Sequence, residues 1–197
     1  MCEGEDLVDA ARAEGIEPVE LYVAGENVDA SQLSSVSSLG YPPRVIGVFR
    51  RDALQPSVTR QGPGLALWRV GDPGNVGTLI RSVDALGGAF VALSGGCADP
   101  TSPKAVRASM GALFRVPVIP FDEAPRPWIA LVPRGGTELE PIESGSYVLG
   151  SEREGLSEEV LARCDERARI PLSEGAEALN VAMAGTIALY EAARSRS

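Results

Sequence analysis

Residues 65–93 read LALWRVGDPGNVGTLIRSVDALGGAFVAL, and the order of segments within them indicates the fold class. An apolar run, LALWRV, is followed by a glycine-rich loop, a segment with helical spacing and a second apolar run, AFVAL. The helical segment places its apolar residues on one stripe, which indicates a helix with one buried face: Val76, Leu79, Ile80, Val83 and Leu86. A strand, a helix and a further strand in this order predict a layered α/β unit.

Short apolar runs continue to alternate with helical segments along the rest of the chain. The strand candidates are LALWRV, AFVAL, VPVIP, WIALV, SYVLG and RARIPL. The helix candidates are residues 75–86, 103–113, 157–164 and 179–194. Runs that are apolar throughout are typical of strands buried on both faces. We therefore predict an α/β fold with a doubly wound parallel sheet over residues 64–197.

The first fifty residues follow a different pattern. Residues 1–52 predict a small α/β unit with an amphipathic helix near 5–14, strands near 19–23 and 45–49, and a polar stretch between the strands. Residues 53–63 are rich in proline, glycine and polar side chains, which predicts a linker. About fifty residues are few for an independent core, so this unit is either an incomplete domain or leans on its neighbour.

Composition excludes several classes of protein. The chain has 197 residues, 44% of them hydrophobic, and no run of 18 apolar residues. Its start, MCEGEDLVDA, is acidic where a secretory signal would be basic. We therefore expect a cytoplasmic protein. The three cysteines, Cys2, Cys97 and Cys164, are odd in number and widely spaced, and there is no histidine. We expect reduced thiols, no metal site and no Ser/His/Asp triad.

The net charge of the chain bears on whether it can bind nucleic acid. A formal charge of −9 argues against RNA binding, because neutralisation of phosphates supplies much of the affinity. A local patch can nevertheless bind RNA while acidic surface elsewhere sets the total. All but one of the 18 basic residues are arginines, which suit bidentate contacts with phosphate.

The loop and helix at residues 71–88 leave two interpretations open. The glycines Gly71, Gly74 and Gly77 do not have the spacing of a dinucleotide fingerprint or of a Walker loop. Asn75 is either the N-cap of the helix or a site amide. Arg81 either pairs with Asp84 at i,i+3 or belongs to a site.

Two later segments carry polar residues where strands are predicted to end. In residues 147–160, YVLGSEREGLSEEV, Ser157 would cap a helix, and Glu152 is either a solvated carboxylate or a positioned acceptor. In residues 168–196, Asn180 is either a cap or a site amide. The helix that follows Asn180 has a face of small residues, which allows close packing and is frequent at subunit interfaces. Ligands of open α/β sheets bind at the carboxyl ends of the strands, where both segments would lie.

In this order, the three segments closely resemble the signature motifs of the SpoU/TrmH branch of the SPOUT methyltransferases. The matching residues are Asn75-x-Gly77-x-x-x-Arg81, Leu149-Gly150-Ser151-Glu152 with Gly155-Leu156, and Ile170-Pro171-Leu172 followed by Leu179-Asn180-Val181. The resemblance covers residues 64–197. It implies a parallel-sheet SPOUT fold with a C-terminal trefoil knot over roughly residues 146–197, and a homodimer formed through the knot region. The implied activity is transfer of a methyl group from S-adenosylmethionine to a ribose 2'-OH of rRNA or tRNA.

The resemblance also implies residue roles. The implied catalytic residues are Arg81, Asn75, Glu152 and Asn180. The residues implied to bind S-adenosylmethionine are Val132, Pro133, Arg134, Leu149, Gly150, Gly155, Ile170, Leu172 and Leu179. For Arg81, the resemblance implies assistance in proton removal from the 2'-OH. Arginine is nearly always protonated, so an electrostatic or phosphate-orienting role is at least as compatible with its chemistry.

Two features depart from the family pattern. Residues 1–52 resemble the accessory RNA-binding domain of these enzymes, but the basic helical stretch that usually precedes CEGEDLV is absent. Either the start is truncated or RNA docking is reduced. Ala178 and Ala182 stand where the family commonly has Ser and another polar residue, which leaves a catalytically weak or inactive relative as the alternative. An unrelated Rossmann enzyme is disfavoured by the glycine spacing.

Overall fold

The computed structural model describes residues 1–37, 39–54 and 60–196, and the first of its two units is a small antiparallel sheet with helices. The three strands have the order β1-β3-β2, and both pairs are antiparallel. The elements of this unit are β1 (Cys2–Glu3), α1 (Glu5–Ala13), β2 (Glu20–Val23), α2 (Ala30–Val36) and β3 (Val45–Val48).

The second unit is a seven-stranded sheet in which every neighbouring pair is parallel. Its strand order is β6-β5-β4-β9-β7-β10-β8. The elements are β4 (Gly64–Leu67), α3 (Pro73–Ala85), β5 (Val91–Leu93), α4 (Pro103–Ser109), β6 (Val118–Pro120), β7 (Trp128–Leu131), β8 (Thr137–Glu138), β9 (Ser146–Leu149), α5 (Glu158–Arg163), β10 (Glu166–Arg169) and α6 (Val181–Ser195). Short 3₁₀ helices cover Asp52–Leu54, Ala112–Phe114 and Phe121–Glu123.

Both faces of the parallel sheet are buried, as the apolar runs predicted. On β9, Tyr147 belongs to one hydrophobic cluster and the next residue, Val148, to the other. On β4, Leu65 and Ala66 are divided between the two clusters in the same way, and all four residues are fully buried. Successive side chains on a strand point to opposite faces, so each face has its own core. The prediction of a parallel α/β sheet is confirmed.

Two glycines allow the helices on one face to approach closely. A Cβ added at Gly77 of α3 would collide with the carbonyl oxygen of Ala105 in α4 and lie 2.7 Å from the Ala108 Cβ. A Cβ added at Gly185 of α6 would lie 2.5 Å from the Leu79 side chain of α3. Gly77, which the sequence motif singles out, is therefore a packing residue between two helices.

The two units share one core. The cluster that contains Leu65 also contains Cys2, Leu7 and Val8 of the first unit. The buried carboxylate of Glu3 accepts a hydrogen bond of 2.6 Å from Arg107 of α4. The first unit thus packs against α4, and it leans on its neighbour.

Several elements differ from the sequence-based predictions. The short strands β1 and β8 and the helix α2 were not predicted. Helix α4 ends at Ser109 rather than at residue 113, because Met110 and Gly111 adopt left-handed backbone conformations with φ of 50° and 82°. Residues 55–59 of the predicted linker lie outside the described residues. Across the described part of the chain, no helix is long and apolar enough to cross a membrane.

Candidate active site

Three loops meet at the carboxyl edge of the parallel sheet. They connect β4 to α3, β9 to α5 and β10 to α6. β4 and β9 are neighbours, and only β7 separates β9 from β10. Because the strands are parallel, these loops lie at the same edge. Glu152 and Asn180 lie in the second and third loops, and Asn75 lies in the first turn of α3, directly after the first loop.

A chain of hydrogen bonds joins the three loops. The Asn75 side-chain amide donates to Glu152 Oε1 at 2.8 Å, and the Asn180 amide donates to Asn75 Oδ1 at 3.2 Å. The main-chain N–H groups of Gly71 and Asp72 each donate to Glu152 at 3.2 Å. Glu152 is therefore a positioned acceptor rather than a solvated loop carboxylate.

The surroundings of Glu152 favour its ionised form. Partial burial raises the pKa of this carboxyl, but hydrogen bonds from the Asn75 amide and from main-chain N–H groups lower it by more. The net effect holds the pKa of Glu152 below its usual range, because three donors stabilise the negative charge. Ionised Glu152 can only accept hydrogen bonds, so it fixes the NH₂ end of the Asn75 amide as the donor toward it.

Asp72, and not Asn75, is the N-cap of α3. Its carboxylate accepts from the N–H groups of Gly74 at 2.7 Å and Asn75 at 3.1 Å, and from Lys104 at 2.7 Å. The interpretation of Asn75 as the helix cap is therefore wrong. Asp72 takes over the capping role, so the Asn75 side chain is available to bridge Glu152 and Asn180.

Asn180 has both of the roles that the sequence left open. Its Oδ1 accepts from the N–H groups of Ala182 at 2.8 Å and Met183 at 3.3 Å, and thereby caps α6. Its Nδ2 donates to Asn75. The start of α6 is in this way tied to the start of α3. Ser157 caps α5 through the Val160 N–H, as predicted.

Arg81 lies on the exposed surface of α3 and does not pair with Asp84. The Asp84 carboxylate is instead bound by Arg115 at 2.7 Å and by Arg60. Among the described residues, Arg81 has neither an ion pair nor a side-chain hydrogen bond. The structure brings Asn75, Glu152 and Asn180 together, and no bond joins Arg81 to them. The ion-pair interpretation of Arg81 is wrong, and its guanidinium is free for an external anion.

A cleft of about 790 Å³ opens beside this network. Its volume lies in the range of sites for small molecules and cofactors. Glu152 and Asn180 are among the lining residues. All nine residues that the resemblance assigned to a cofactor also line it: Val132, Pro133, Arg134, Leu149, Gly150, Gly155, Ile170, Leu172 and Leu179.

Gly150 shapes the wall of the cleft. A Cβ at this position would collide with the main chain of Gly155 and Leu156. The turn after β9 can fold back because this side chain is absent, and two hydrogen bonds between Ser151 and Gly155, of 3.1 and 3.0 Å, close it. The turn thereby places Glu152 where it binds Asn75 and also lines the cleft.

Sequence reasoning missed several residues of the cleft. Leu131, Gly136, Arg153, Arg167 and Ala184 also line it. Gly136 has a φ of 73°, and a Cβ there would collide with the carbonyl oxygen of Arg167. The Gly135-Gly136 pair was the available signal, since two adjacent glycines mark a tight turn at the end of a strand.

A shallower groove lies on the other side of the network, between α3 and α6. It is lined by Asn75, Thr78, Asn180, Ala182, Met183, Thr186 and Ile187. Met183 in this groove is 58% exposed, and Tyr190 farther along α6 is 52% exposed. The groove therefore continues into an apolar surface on α6.

Fold and site together define an open parallel α/β protein with a ligand cleft at the carboxyl edge of its sheet. The family model described as SpoU rRNA Methylase matches residues 64–190. The chain belongs to this family.

Named relatives and solved structures agree with that assignment. The 23S rRNA (uridine(2479)-2'-O)-methyltransferase of Streptomyces viridochromogenes is 32% identical, over 79% of this chain and 61% of its own. An uncharacterized tRNA/rRNA methyltransferase of Synechocystis is 33% identical, over 90% of this chain and 69% of its own. The structure of an AdoMet-bound rRNA methyltransferase from Sinorhizobium meliloti superposes with a TM-score of 0.83 at 29% identity, over 98% of this chain and 86% of that one. The chain thus spans 61–69% of the length of these two sequence relatives.

Proposed function

We propose that this protein transfers a methyl group from S-adenosylmethionine to a ribose 2'-OH of rRNA or tRNA. The observation that carries this proposal is the Asn75–Glu152–Asn180 network at the mouth of the cleft. A membership in the SpoU family and relatives named as RNA methyltransferases support it.

The cleft suits S-adenosylmethionine in size and in chemistry. Leucine and valine side chains give it apolar walls against which an adenine can pack. Among the described residues, the main-chain N–H groups of Ile170, Leu172 and Leu179 have no hydrogen-bond partner. Such main-chain donors can form hydrogen bonds with the acceptor nitrogens of a purine, and no side chain is needed. We therefore assign the nine predicted cofactor residues to this ligand.

When bound, S-adenosylmethionine supplies a methyl group made electrophilic by its sulfonium. The remaining requirement is positioning of the ribose, since orientation alone can supply a large part of a rate acceleration. Glu152 holds Asn75, and Asn75 and Asn180 hold each other, so their amides form a fixed edge for the ribose hydroxyls. This edge is rigid because hydrogen bonds join the three segments that carry Asn75, Glu152 and Asn180.

We assign to Arg81 an electrostatic role on the incoming RNA. Its guanidinium lacks a partner among the described residues, so no internal ion pair has to break when a phosphate approaches. An arginine in this position stabilises the negative charge that develops on the ribose oxygen as its proton leaves. The proton itself passes to solvent, because a protonated guanidinium cannot accept it.

We propose that residues 1–52 act as the accessory RNA-binding domain, residues 53–63 as a linker and residues 64–197 as the methyltransferase domain. The ion pair of Glu3 with Arg107 supports a fixed docking of the accessory unit on α4. The substrate then contacts both units at once. We infer a cytoplasmic location, because the proposed substrates, rRNA and tRNA, are there.

We further propose a homodimer and a C-terminal trefoil knot. The insertion of β9 between β4 and β7, which precede it in the chain, supports a threaded topology over residues 146–197. The exposed Met183 and Tyr190 on α6 supply an apolar surface for a second copy of the chain. A strictly monomeric mass by light scattering at micromolar concentration would contradict the dimer.

We infer an active enzyme rather than an inactive relative. Ala178, which replaces the usual Ser, lines the cleft, and Ala182 is buried at the start of α6. Neither position takes part in the hydrogen bonds among the side chains of Asn75, Glu152 and Asn180. The substitutions therefore leave the proposed positioning groups intact.

The experiment is transfer of labelled methyl from S-adenosylmethionine to total cellular RNA by wild type and by Arg81→Ala. Arg194→Ala is the matched control, since Arg194 lies at the far end of α6 and pairs with Glu191 at 2.7 Å. We expect the wild type and the control to label RNA and Arg81→Ala to lose most of the label. Equal labelling by all three proteins would remove Arg81 from the mechanism. No labelling by a wild type that binds the cofactor in calorimetry would contradict the enzyme.

A further inference from the structure

The described arginines divide into two groups. Nearly all of them have an ion pair or a side-chain hydrogen bond within the protein, from Arg12 with Glu17 to Arg196 with the Leu86 carbonyl. Within residues 1–37, 39–54 and 60–196, the arginines without either are Arg81, Arg134, Arg153 and Arg167. Three of these four line the cleft: Arg134, Arg153 and Arg167.

Each of these three arginines comes from a different segment, and the fold brings the segments together. Arg134 follows β7, Arg153 lies in the turn after β9 and Arg167 is in β10. Gly136 allows the loop of Arg134 to lie directly on the main chain of Arg167, where a Cβ would collide. Together they form an arginine rim, the name used below for Arg134, Arg153 and Arg167.

The turn that carries Arg153 is held firmly. Its ends are joined by two hydrogen bonds between Ser151 and Gly155, and the Ser151 hydroxyl accepts from the Glu154 N–H at 3.1 Å. Glu152 in the same turn faces Asn75, while Arg153 is exposed. A cation is thus presented within one residue of the proposed ribose site.

The carboxylates of the cleft do not cancel the arginine rim. Glu152 is satisfied by Asn75 and by two main-chain N–H groups. Glu154 lies 4.0 Å from Arg69, and Glu158 is in the first turn of α5. None of the three forms an ion pair with an arginine of the rim.

We propose that the arginine rim is the phosphate clamp for RNA at this site, and that it grips the backbone on either side of the nucleotide to be methylated. The inference rests on the proposed function and adds the surface that holds the substrate. Guanidinium groups bind phosphate bidentately, and such contacts fix the register of a nucleic acid. The clamp also explains how a chain of net charge −9 binds RNA, because every other described arginine except Arg81 has a partner within the protein, whereas these three are exposed and unpaired.

The charge of the cofactor argues for RNA as the occupant. S-adenosylmethionine carries a sulfonium, an ammonium and one carboxylate, so it is a net cation at neutral pH. Three arginines would repel it overall, and its single carboxylate needs only one guanidinium. A polyanion is the ligand that three unpaired arginines favour.

The test compares two triple variants with the wild type. One replaces the arginine rim by Arg134→Gln, Arg153→Gln and Arg167→Gln. The control removes the same charge through Arg126→Gln, Arg163→Gln and Arg194→Gln, which have acidic partners and lie away from the carboxyl edge. Affinity is measured by fluorescence anisotropy with labelled poly(U) RNA over a range of salt concentrations. The affinity of each protein for S-adenosylmethionine is measured in parallel by calorimetry.

We expect the rim variant to lose about tenfold or more in RNA affinity and to reduce the salt slope by about 2, since each lost phosphate contact on a single strand removes roughly 0.7. The control should lose much less. Because Arg134 is also assigned to the cofactor, cofactor affinity is compared for the double variant Arg153→Gln and Arg167→Gln, which keeps Arg134, and it should not change. The single variant Arg153→Gln, on an exposed turn, and thermal melting of every protein separate the effect from misfolding. Replacement of the three by lysine should restore the salt slope but not the full affinity.

Two results would overturn the clamp. One is RNA affinity and salt slope equal to those of the wild type or of the control. The other is a loss of cofactor affinity with RNA affinity unchanged, which would assign the arginines to the cofactor carboxylate. If the rim variant loses RNA affinity while the wild type transfers no methyl group, the clamp stands and the proposed activity fails. If the wild type transfers methyl groups and the rim variant keeps the RNA affinity of the wild type, the clamp is wrong and the proposed activity stands.

Discussion

The Asn75 side chain donates a hydrogen bond to Glu152 at 2.8 Å, although 77 residues separate the two in the sequence. This bond fixes which end of the Asn75 amide is the donor. The Asn75 carbonyl oxygen is then left to accept from Asn180. The orientation of the proposed ribose edge therefore depends on one carboxylate.

We predict that Glu152→Gln lowers the rate of methyl transfer by roughly 10–100-fold, since misplacement of positioning groups by small distances has effects of this size. Glutamine brings an NH₂ group either against the Gly71 N–H, which loses one hydrogen bond, or against both the Asp72 N–H and the Asn75 amide, which loses two. The rate is measured with saturating cofactor. The control is Glu159→Gln, an exposed residue of α5 outside the cleft. A rate equal to that of the control would show that the network does not position substrate.

Gly77→Ala should destabilise the protein. The new methyl group would collide with the Ala105 carbonyl and approach the Ala108 Cβ, so α3 and α4 would have to separate. We expect the free energy of unfolding to fall by about 1–3 kcal/mol, the usual cost of overpacking. Urea denaturation measures it. Gly95→Ala, where a Cβ meets nothing within 4 Å, serves as the control and should change stability little. An equal effect at both positions would contradict the packing role.

Arg69→Gly should stabilise the protein. Arg69 has a φ of 55°, a left-handed conformation that glycine adopts without steric cost. The free energy of unfolding should rise by about 0.5–1 kcal/mol. This is the difference between the strain that glycine relieves in the folded state and the conformational entropy that it adds to the unfolded state. Arg134→Gly, at an exposed arginine without positive φ, should instead lower stability. Thermal denaturation compares them, and a less stable Arg69→Gly would show that no strain is stored there.

The Asp84 cluster makes stability depend on pH. Burial raises the pKa of Asp84, but hydrogen bonds from Arg115 and Arg60 lower it by more, so the net pKa lies below its usual range. A carboxyl whose pKa is lowered by folding stabilises the protein above its unfolded pKa, about 3.9, and loses this contribution as pH falls through the folded value.

We therefore expect Asp84→Asn to be clearly less stable than the wild type near neutral pH, and this difference to shrink as the pH falls below about 4. Urea denaturation of both proteins at several pH values measures it. Because the other carboxyls titrate in both proteins, the difference isolates Asp84. A difference that stays constant with pH would contradict the ion-pair explanation.

Periodicity predicted the parallel sheet because its strands are apolar on both faces. Helix α2 was missed because Leu33 is its one buried residue, so it has no apolar stripe. The Asp29 N–H donates to Gln32 Oε1 at 3.2 Å, and this capping pair was a usable signal for the helix start. Strands of two residues, such as β1 and β8, are too short to show any period.

The sequence predicted which residues form the site but not the hydrogen bonds that join them. Asn75, Glu152 and Asn180 were singled out by motif, whereas their hydrogen bonds depend on the order of strands in the sheet. Asp72 and Asn75 are both good capping residues, and the chain alone could not decide between them. Similarly, the partners of Asp84 come from distant segments, which is why the i,i+3 pairing with Arg81 was wrong.

The chemical position of the transferred methyl group distinguishes a ribose methyltransferase from a base methyltransferase. RNA labelled by the wild type from S-adenosylmethionine is hydrolysed in alkali, which cleaves after every nucleotide with a free 2'-OH. We predict label in alkali-resistant dinucleotides, because a 2'-O-methyl group blocks that cleavage. Label found only in mononucleotides would place the methyl group on a base and would contradict a ribose methyltransferase.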